Sequence, residues 1–180
     1  MGTATVSTPA QIRKGAVTLK GNPMTLIGPE LKPGTKAPDF EAVATDSSTV
    51  SLSSFKGKPV LISVVHSLDT SVCDAQAKRF NEEAAKLPNL VALSISMDLP
   101  FAQRRWCGAA HADRIKTLSD HREASFGTAY GTLIQELRLL SRAIFLVDAG
   151  GTLRHVEYVP EVTAHPNYDA ALAAVRQIAA

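Results

Sequence analysis

The stretch PVLISVVHSLDTSVCDAQAKRFNEEAAKL, residues 59–87, carries the reading of the fold. It opens on Pro59–Val65, a short continuous apolar run rich in β-branched side chains, as expected of a strand covered on both faces. A polar loop, HSLDTS, follows, and then the period changes: Phe80, Ala84 and Leu87 recur at +4 and +3 and give a helix one buried stripe. Thr70 and Ser71 are helix-capping residue types, so Cys73 falls in the first turn of that helix. A buried strand feeding a helix through a polar loop is a βα unit, and the carboxyl edge of such a strand is where open α/β sheets bind ligands.

Working outward, LVALSIS (90–96) reads as a second buried strand, and Pro100 opens a short helix over FAQRRWCGA that ends near Gly108 and holds Cys107 in its last turn. Thr117 and Leu118 are strand-like, and a short helix is expected from about Arg122. RAIFLVDAGGTLRHVEYV (142–159) predicts two strands around a turn at Asp148–Gly151. Asn167 is placed to cap a closing helix whose stripe is Tyr168, Leu172, Val175 and Ala179. Upstream, AVTLKGNPMTLIG (16–28) predicts a hairpin turning at Gly21-Asn22-Pro23, and FEAVATDSSTVSL a strand pair broken at Asp46–Ser48. This order predicts an α/β protein with a mixed central sheet flanked by helices, a thioredoxin-like arrangement with an N-terminal β-hairpin extension. Residues 1–15 are small and polar and are expected to be flexible, leaving 16–180 as a single domain.

Composition excludes several function classes. Nineteen Lys and Arg against seventeen Asp and Glu leave a net charge of +2, too little for a role built on phosphate-backbone contacts, so no nucleic-acid partner is expected. No apolar run approaches the ~18 residues of a membrane span, and the N-terminal stretch lacks the apolar core of a secretory signal. A cytoplasmic protein without a membrane partner is the expectation. Two cysteines are too few for a disulfide scaffold or a four-ligand zinc site, and His111, His121, His155 and His165 show no metal-ligand spacing. No cofactor or metal is therefore expected, and Cys73 and Cys107 are either unrelated buried thiols or a redox pair.

Position decides part of this. Unpaired N–H groups and the positive dipole end at a helix start favour thiolate over thiol, so Cys73 reads as a nucleophile rather than an inert core cysteine. Around it, SLDTSVCDAQAKRFNEEAA, SISMDLPFAQRRWCGA, TLSDHR, SFGTAYG, LSRAIFLVD and VEYVPEVT together resemble the thiol peroxidases of the peroxiredoxin superfamily, from about Ala16 to the C-terminus. The resemblance implies an atypical two-cysteine, thioredoxin-dependent enzyme that reduces hydrogen peroxide and alkyl or lipid hydroperoxides. It makes Cys73 the peroxidatic cysteine and Cys107 its resolving partner in an intramolecular disulfide. Thr70 matches the threonine of the family's Pro-x-x-x-Thr-x-x-Cys motif, and Arg142 the arginine that completes the site. A homodimer is implied as well. Because the two cysteines lie on different helices, disulfide closure is expected to require partial unfolding of both segments.

One departure stands out: His66 occupies the place of the motif's proline. It is either a new acid/base group or a pocket-edge residue that lowers activity, and the second reading is preferred because an introduced imidazole seldom becomes catalytic. Two alternatives follow from it, a weakened redox sensor on the same fold and a Cys73–His66 hydrolase that lacks an evident orienting group. Arg138 competes with Arg142 for the site. Arg104 and Arg105, beside Trp106, read as a solvated helix face, His121 as a structural hydrogen-bonding residue, and Phe101, Trp106, Phe126, Tyr130, Leu133 and Leu137 as core or dimer contacts.

Overall fold

In the computed structural model, which describes residues 10–179, two sheets form. The larger has seven strands in the order β11-β10-β5-β6-β7-β3-β4. Its centre is the parallel trio β5 (Val60–Val64), β6 (Val91–Ser96) and β7 (Ile115–Ser119), with antiparallel strands on either side. On one side lie β10 (Ala143–Val147) and β11 (Leu153–Tyr158), and on the other β3 (Glu41–Ala44) and β4 (Thr49–Ser51). Helices α1 (Ser71–Ala85) and α2 (Pro100–Ala110) connect the parallel strands, a short α3 (Ser125–Ala129) follows β7, and α4 (Tyr168–Ala179) closes the chain.

Alternation along the central strands builds two cores. Val60, Ile62 and Val64 of β5, with Ala143, Phe145 and Val147 of β10, face a cluster that contains Phe40, Phe126 and Tyr130. Leu61 and Val65, with Ile144 and Leu146, face α1 and α4 through Phe80, Ala84, Leu172 and Val175. This two-faced burial is why Val60–Val64 is apolar at every position but Ser63. Asn167 caps α4 as expected, its Oδ1 accepting from the Ala170 N–H at 3.0 Å.

The N-terminal region departs from the expected single extension. β1 begins at Ile12, four residues earlier than the flexible-segment boundary, and pairs with β2 (Asn22–Ile27); residues 1–9 of that segment lie outside the described ones. The hairpin then joins two very short strands, β8 (Leu133–Ile134) and β9 (Leu139–Leu140), to make a separate four-stranded sheet. Two-residue strands carry no readable period, so neither was anticipated. Leu133 is buried there as expected, whereas Leu137, in the turn between β8 and β9, is 42% exposed.

This second sheet is pinned to the first. Glu161, just beyond β11, accepts hydrogen bonds from Thr18 Oγ1 and from the Lys20 and Gly21 N–H groups at the hairpin tip. Thr18 and Val162 also bond backbone to backbone. At the other end of β2, Gly28 adopts φ +106°, and a Cβ there would meet the Thr128 carbonyl oxygen. Gly28→Ala is expected to lower folding stability by more than about 1 kcal/mol, measured as a drop in the urea midpoint, because left-handed strain and a backbone clash add.

Candidate active site

Cys73 is the third residue of α1 and continues its buried face, with Gln76, Ala77, Phe80 and Ala84 following it inward. Its side chain is fully buried at the carboxyl end of β5. Two groups touch the sulfur: Arg142 Nη2 donates to Sγ at 3.3 Å, and His66 Nδ1 lies 3.4 Å away. Burial opposes ionisation of this thiol, but the neighbouring His66 and Thr70 side chains, the Arg142 charge and the Ser67 backbone outweigh it and bring the pKa from 9.0 to about 6. Cys73 is therefore largely thiolate at neutral pH, the form that attacks electrophiles.

Arg142 immediately precedes β10 and is itself fully buried. Its remaining donors go to Gln76 Oε1, through Nη1 at 2.6 Å, and to the Val162 carbonyl, through Nε at 3.0 Å. Gln76 in turn donates to Ser63 Oγ at 2.7 Å, tying the cluster to the middle of β5. Gln76 was missed from sequence; the signal was a polar side chain three residues from Cys73 on an otherwise apolar helix face. Arg138, the competitor, is exposed in the turn before β9, and the arginine that donates to the sulfur is Arg142.

Thr70 does occupy the N-cap of α1, but its side chain makes no capping bond and donates to the Ser67 carbonyl at 2.9 Å. The loop carrying His66 and Thr70 is set by Asp98, another residue that sequence reasoning passed over. Asp98 accepts from Ser67 Oγ, the Leu68 N–H and Ser96 Oγ, each at 2.8 Å.

Cys107 stands apart. It is a free thiol in the last turns of α2, within hydrogen-bond range of Thr117 Oγ1 at 3.4 Å, and it lines a cleft of about 450 Å³ that contains none of the residues around Cys73. Its neighbour Trp106 is buried, in line with its reading as a core or contact residue. Trp106 Nε1 donates to Asp74 Oδ1 at 2.9 Å and so fastens α2 to the first turn of α1. Arg104 and Arg105 are exposed as expected; Arg105 lies 3.7 Å from Asp69. Phe101, read as a core or dimer contact, is 69% exposed at the start of α2 and so is no part of the core.

The other histidines are dispersed. His111 ends α2 in the left-handed region, His121 meets Ser119 Oγ at 2.8 Å, His155 lies 3.8 Å from Glu157, and His165 meets the Tyr168 hydroxyl at 2.9 Å. A larger cleft, about 760 Å³, opens at the amino end of β5 between Lys36, Lys58, Val60 and Asp148; it includes neither cysteine. Among the described residues no helix is long and apolar enough to cross a membrane.

A thiolate held by a buried arginine at the start of the first βα helix defines a thiol-dependent oxidoreductase on a thioredoxin-like frame. Residues 32–172 match the Redoxin family. A thiol peroxidase of Halalkalibacterium halodurans is 56% identical over 161 residues, spanning 89% of this chain and 97% of the relative. That of Bacillus subtilis is 52% identical over 162 residues, spanning 90% and 97%. Among solved structures, a peroxiredoxin-like protein from Aquifex aeolicus superposes with TM-score 0.85 at 38% identity, covering 95% of this chain and 99% of its own. The thiol peroxidase of Chromobacterium violaceum gives 0.80 at 25% identity, covering 89% and 95%. The chain belongs to the redoxin family and, within it, to the thiol peroxidases, which are peroxiredoxin-type oxidoreductases.

The lowered thiol pKa has a thermodynamic signature. The folded state releases the Cys73 proton near pH 6, whereas the unfolded chain holds it until near its ordinary value of 9.0. Between those values the unfolded state binds the extra proton, so stability rises with pH across that window and is lost as pH falls through about 6. The stability difference between the protein and Cys73→Ser, from urea melts, is expected to grow with pH from about 6 towards 9.

Proposed function

We propose that the protein reduces hydrogen peroxide and organic hydroperoxides with Cys73 as the peroxidatic cysteine. The observation that carries this reading is the contact between the fully buried Cys73 sulfur and Arg142 Nη2 at 3.3 Å. The thiolate attacks one peroxide oxygen and becomes a sulfenic acid while the O–O bond breaks. The Arg142 guanidinium stabilises the attacking anion and the charge that develops opposite it. Thr70 shapes the loop wall through its bond to Ser67 rather than as a helix cap.

Cys107 then attacks the sulfenic sulfur, water leaves, and an intramolecular disulfide forms that thioredoxin reduces. The cleft position of Cys107 requires the end of α2 to unwind, since a disulfide needs Cα atoms about 4.4–6.8 Å apart. Unwinding breaks the Trp106–Asp74 bond. Free thiols suit a reducing compartment such as the cytoplasm. Exposed Leu99 and Phe101 supply apolar surface for a homodimer.

A hydrolase would need a group that orients the imidazole, and no side chain among the described residues hydrogen-bonds its far nitrogen. The weakened sensor likewise has no observation in its favour.

Peroxide-dependent NADPH consumption with thioredoxin and its reductase tests the cycle. Turnover is expected for the protein, a single oxidation without recycling for Cys107→Ser, and none for Cys73→Ser; turnover that survives Cys73→Ser would overturn the assignment. Trp106 is the sole tryptophan, so disulfide formation is expected to change its fluorescence in the protein and not in Cys107→Ser. Trp106→Phe removes the donor to Asp74 and is expected to speed disulfide closure, followed by loss of free thiols.

A further inference from the structure

Three groups close on the Cys73 sulfur, and they differ in whether they can part with a proton. Arg142 donates through Nη2, but a guanidinium does not give up its proton under ordinary conditions. Thr70 commits its hydroxyl hydrogen to the Ser67 carbonyl. His66 Nδ1, 3.4 Å from Sγ, belongs to the one side-chain type that exchanges protons readily around neutrality. It is also half-exposed, on the loop that leads from solvent to the buried sulfur.

We propose that His66 is the proton carrier of the peroxide-cleaving step, taking the proton from the Cys73 thiol and returning it to the departing oxygen. The inference rests on Cys73 being the residue that peroxide oxidises. In this step the proton that the Cys73 thiol gives up passes across the 3.4 Å contact to His66 Nδ1, and the thiolate is left beside the group that will return it. The thiolate then attacks the terminal oxygen of R–O–O–H. A sulfur–oxygen bond forms, the O–O bond breaks, and the electron pair departs with RO⁻. The imidazolium protonates RO⁻ to give R–OH, and neutral His66 is restored. The sum is thiol plus hydroperoxide giving sulfenic acid plus alcohol, or water when R is hydrogen, with no other reactant.

This assignment carries a specificity. Hydroxide and alkoxides are strongly basic leaving groups and need a proton as they depart, whereas a carboxylate does not. His66 therefore favours hydrogen peroxide and alkyl hydroperoxides over peracids, which gain nothing from it. The proposal takes the other of the two readings of His66, an acid/base group in place of a passive pocket-edge residue, on the strength of its contact with the sulfur.

The groups that bear on the pair from the surrounding elements are few. Arg142 faces Cys73 from before β10. Tyr168 on α4 is close enough to both for their charges to act on its hydroxyl, and Asp98 anchors the loop from the end of β6. Asp74, the next residue of α1, is engaged by Trp106 and Lys78.

The test measures oxidation of Cys73 alone, in the Cys107→Ser background, by loss of thiol alkylation. His66→Gln and His66→Pro are compared with the parent using hydrogen peroxide, tert-butyl hydroperoxide and peracetic acid. Each rate is divided by the thiolate fraction read from its ultraviolet absorbance, so a changed thiol pKa does not enter. His66→Pro carries the motif's own residue and serves as a control that the site folds around a changed residue 66, whereas proton transfer is tested by His66→Gln, whose peracetic acid rate reports its own folding. In His66→Gln a loss of about 10²-fold with the first two oxidants, and a change within about twofold with peracetic acid, is expected. Equal losses with all three oxidants would reduce His66 to a positioning residue, and no loss with any would remove it from the reaction; either overturns the proposal. Reactivity that persisted in Cys73→Ser would instead sink the underlying peroxidase reading, so the two failures are distinguishable.

Discussion

The structure turns on one buried cation. Arg142 has no exposed surface, yet a guanidinium stays charged, so the fold must supply an anion and acceptors or forfeit several kcal/mol, about 3–5 where such a pair is broken. It supplies three partners from three places: the Val162 carbonyl beyond β11, Gln76 on α1 and the Cys73 sulfur. The dependence is mutual. With His66 and Thr70, Arg142 favours the ionised sulfur, and that anion in turn makes burial of Arg142 tolerable. The reactive group is therefore also a structural ion, which is why its protonation and the stability of the whole domain are linked.

That constraint gives the N-terminal hairpin a purpose. Val162 can accept from Arg142 only if the segment after β11 is held, and Glu161 holds it by gathering the hairpin tip around its carboxylate. Those hydrogen bonds keep the Glu161 carboxyl well below the usual carboxylate range. The second sheet, remote in sequence from Cys73, thus braces the third partner of the arginine beside it.

Much of this was legible beforehand because it rests on local periods. The alternation in Val60–Val65, the stripe through Phe80 and Ala84, the Asn167 cap and the Asp148–Gly151 turn are all properties of short windows. Cys73, Thr70, His66 and Arg142 were named from a helix start and a motif, and all four converge on one loop end. What escaped depends on pairing at a distance. Gln76 looked like an interruption of an apolar face, the Val162 acceptor is a backbone carbonyl with no side-chain signature, and β8 and β9 exist only because β2 offers them an edge. Trp106 was read as a core or contact residue from its type, but neither segment signalled that its indole would donate to the Asp74 carboxylate on another helix. Thr70 was read as a cap from its type; its hydroxyl had a nearer acceptor in Ser67.

Cys73 belongs to the same buried row as Ala77, Phe80 and Ala84. Adding one oxygen to its sulfur makes a small side chain larger and more polar at a point of close packing, the chemical equivalent of a small-to-large core substitution with a hydroxyl attached. An oxygen added there would fall in the first turn of α1, one residue from the Asp74 carboxylate that accepts from Trp106, so a change in packing at the sulfur would bear directly on the bond that fastens the second helix.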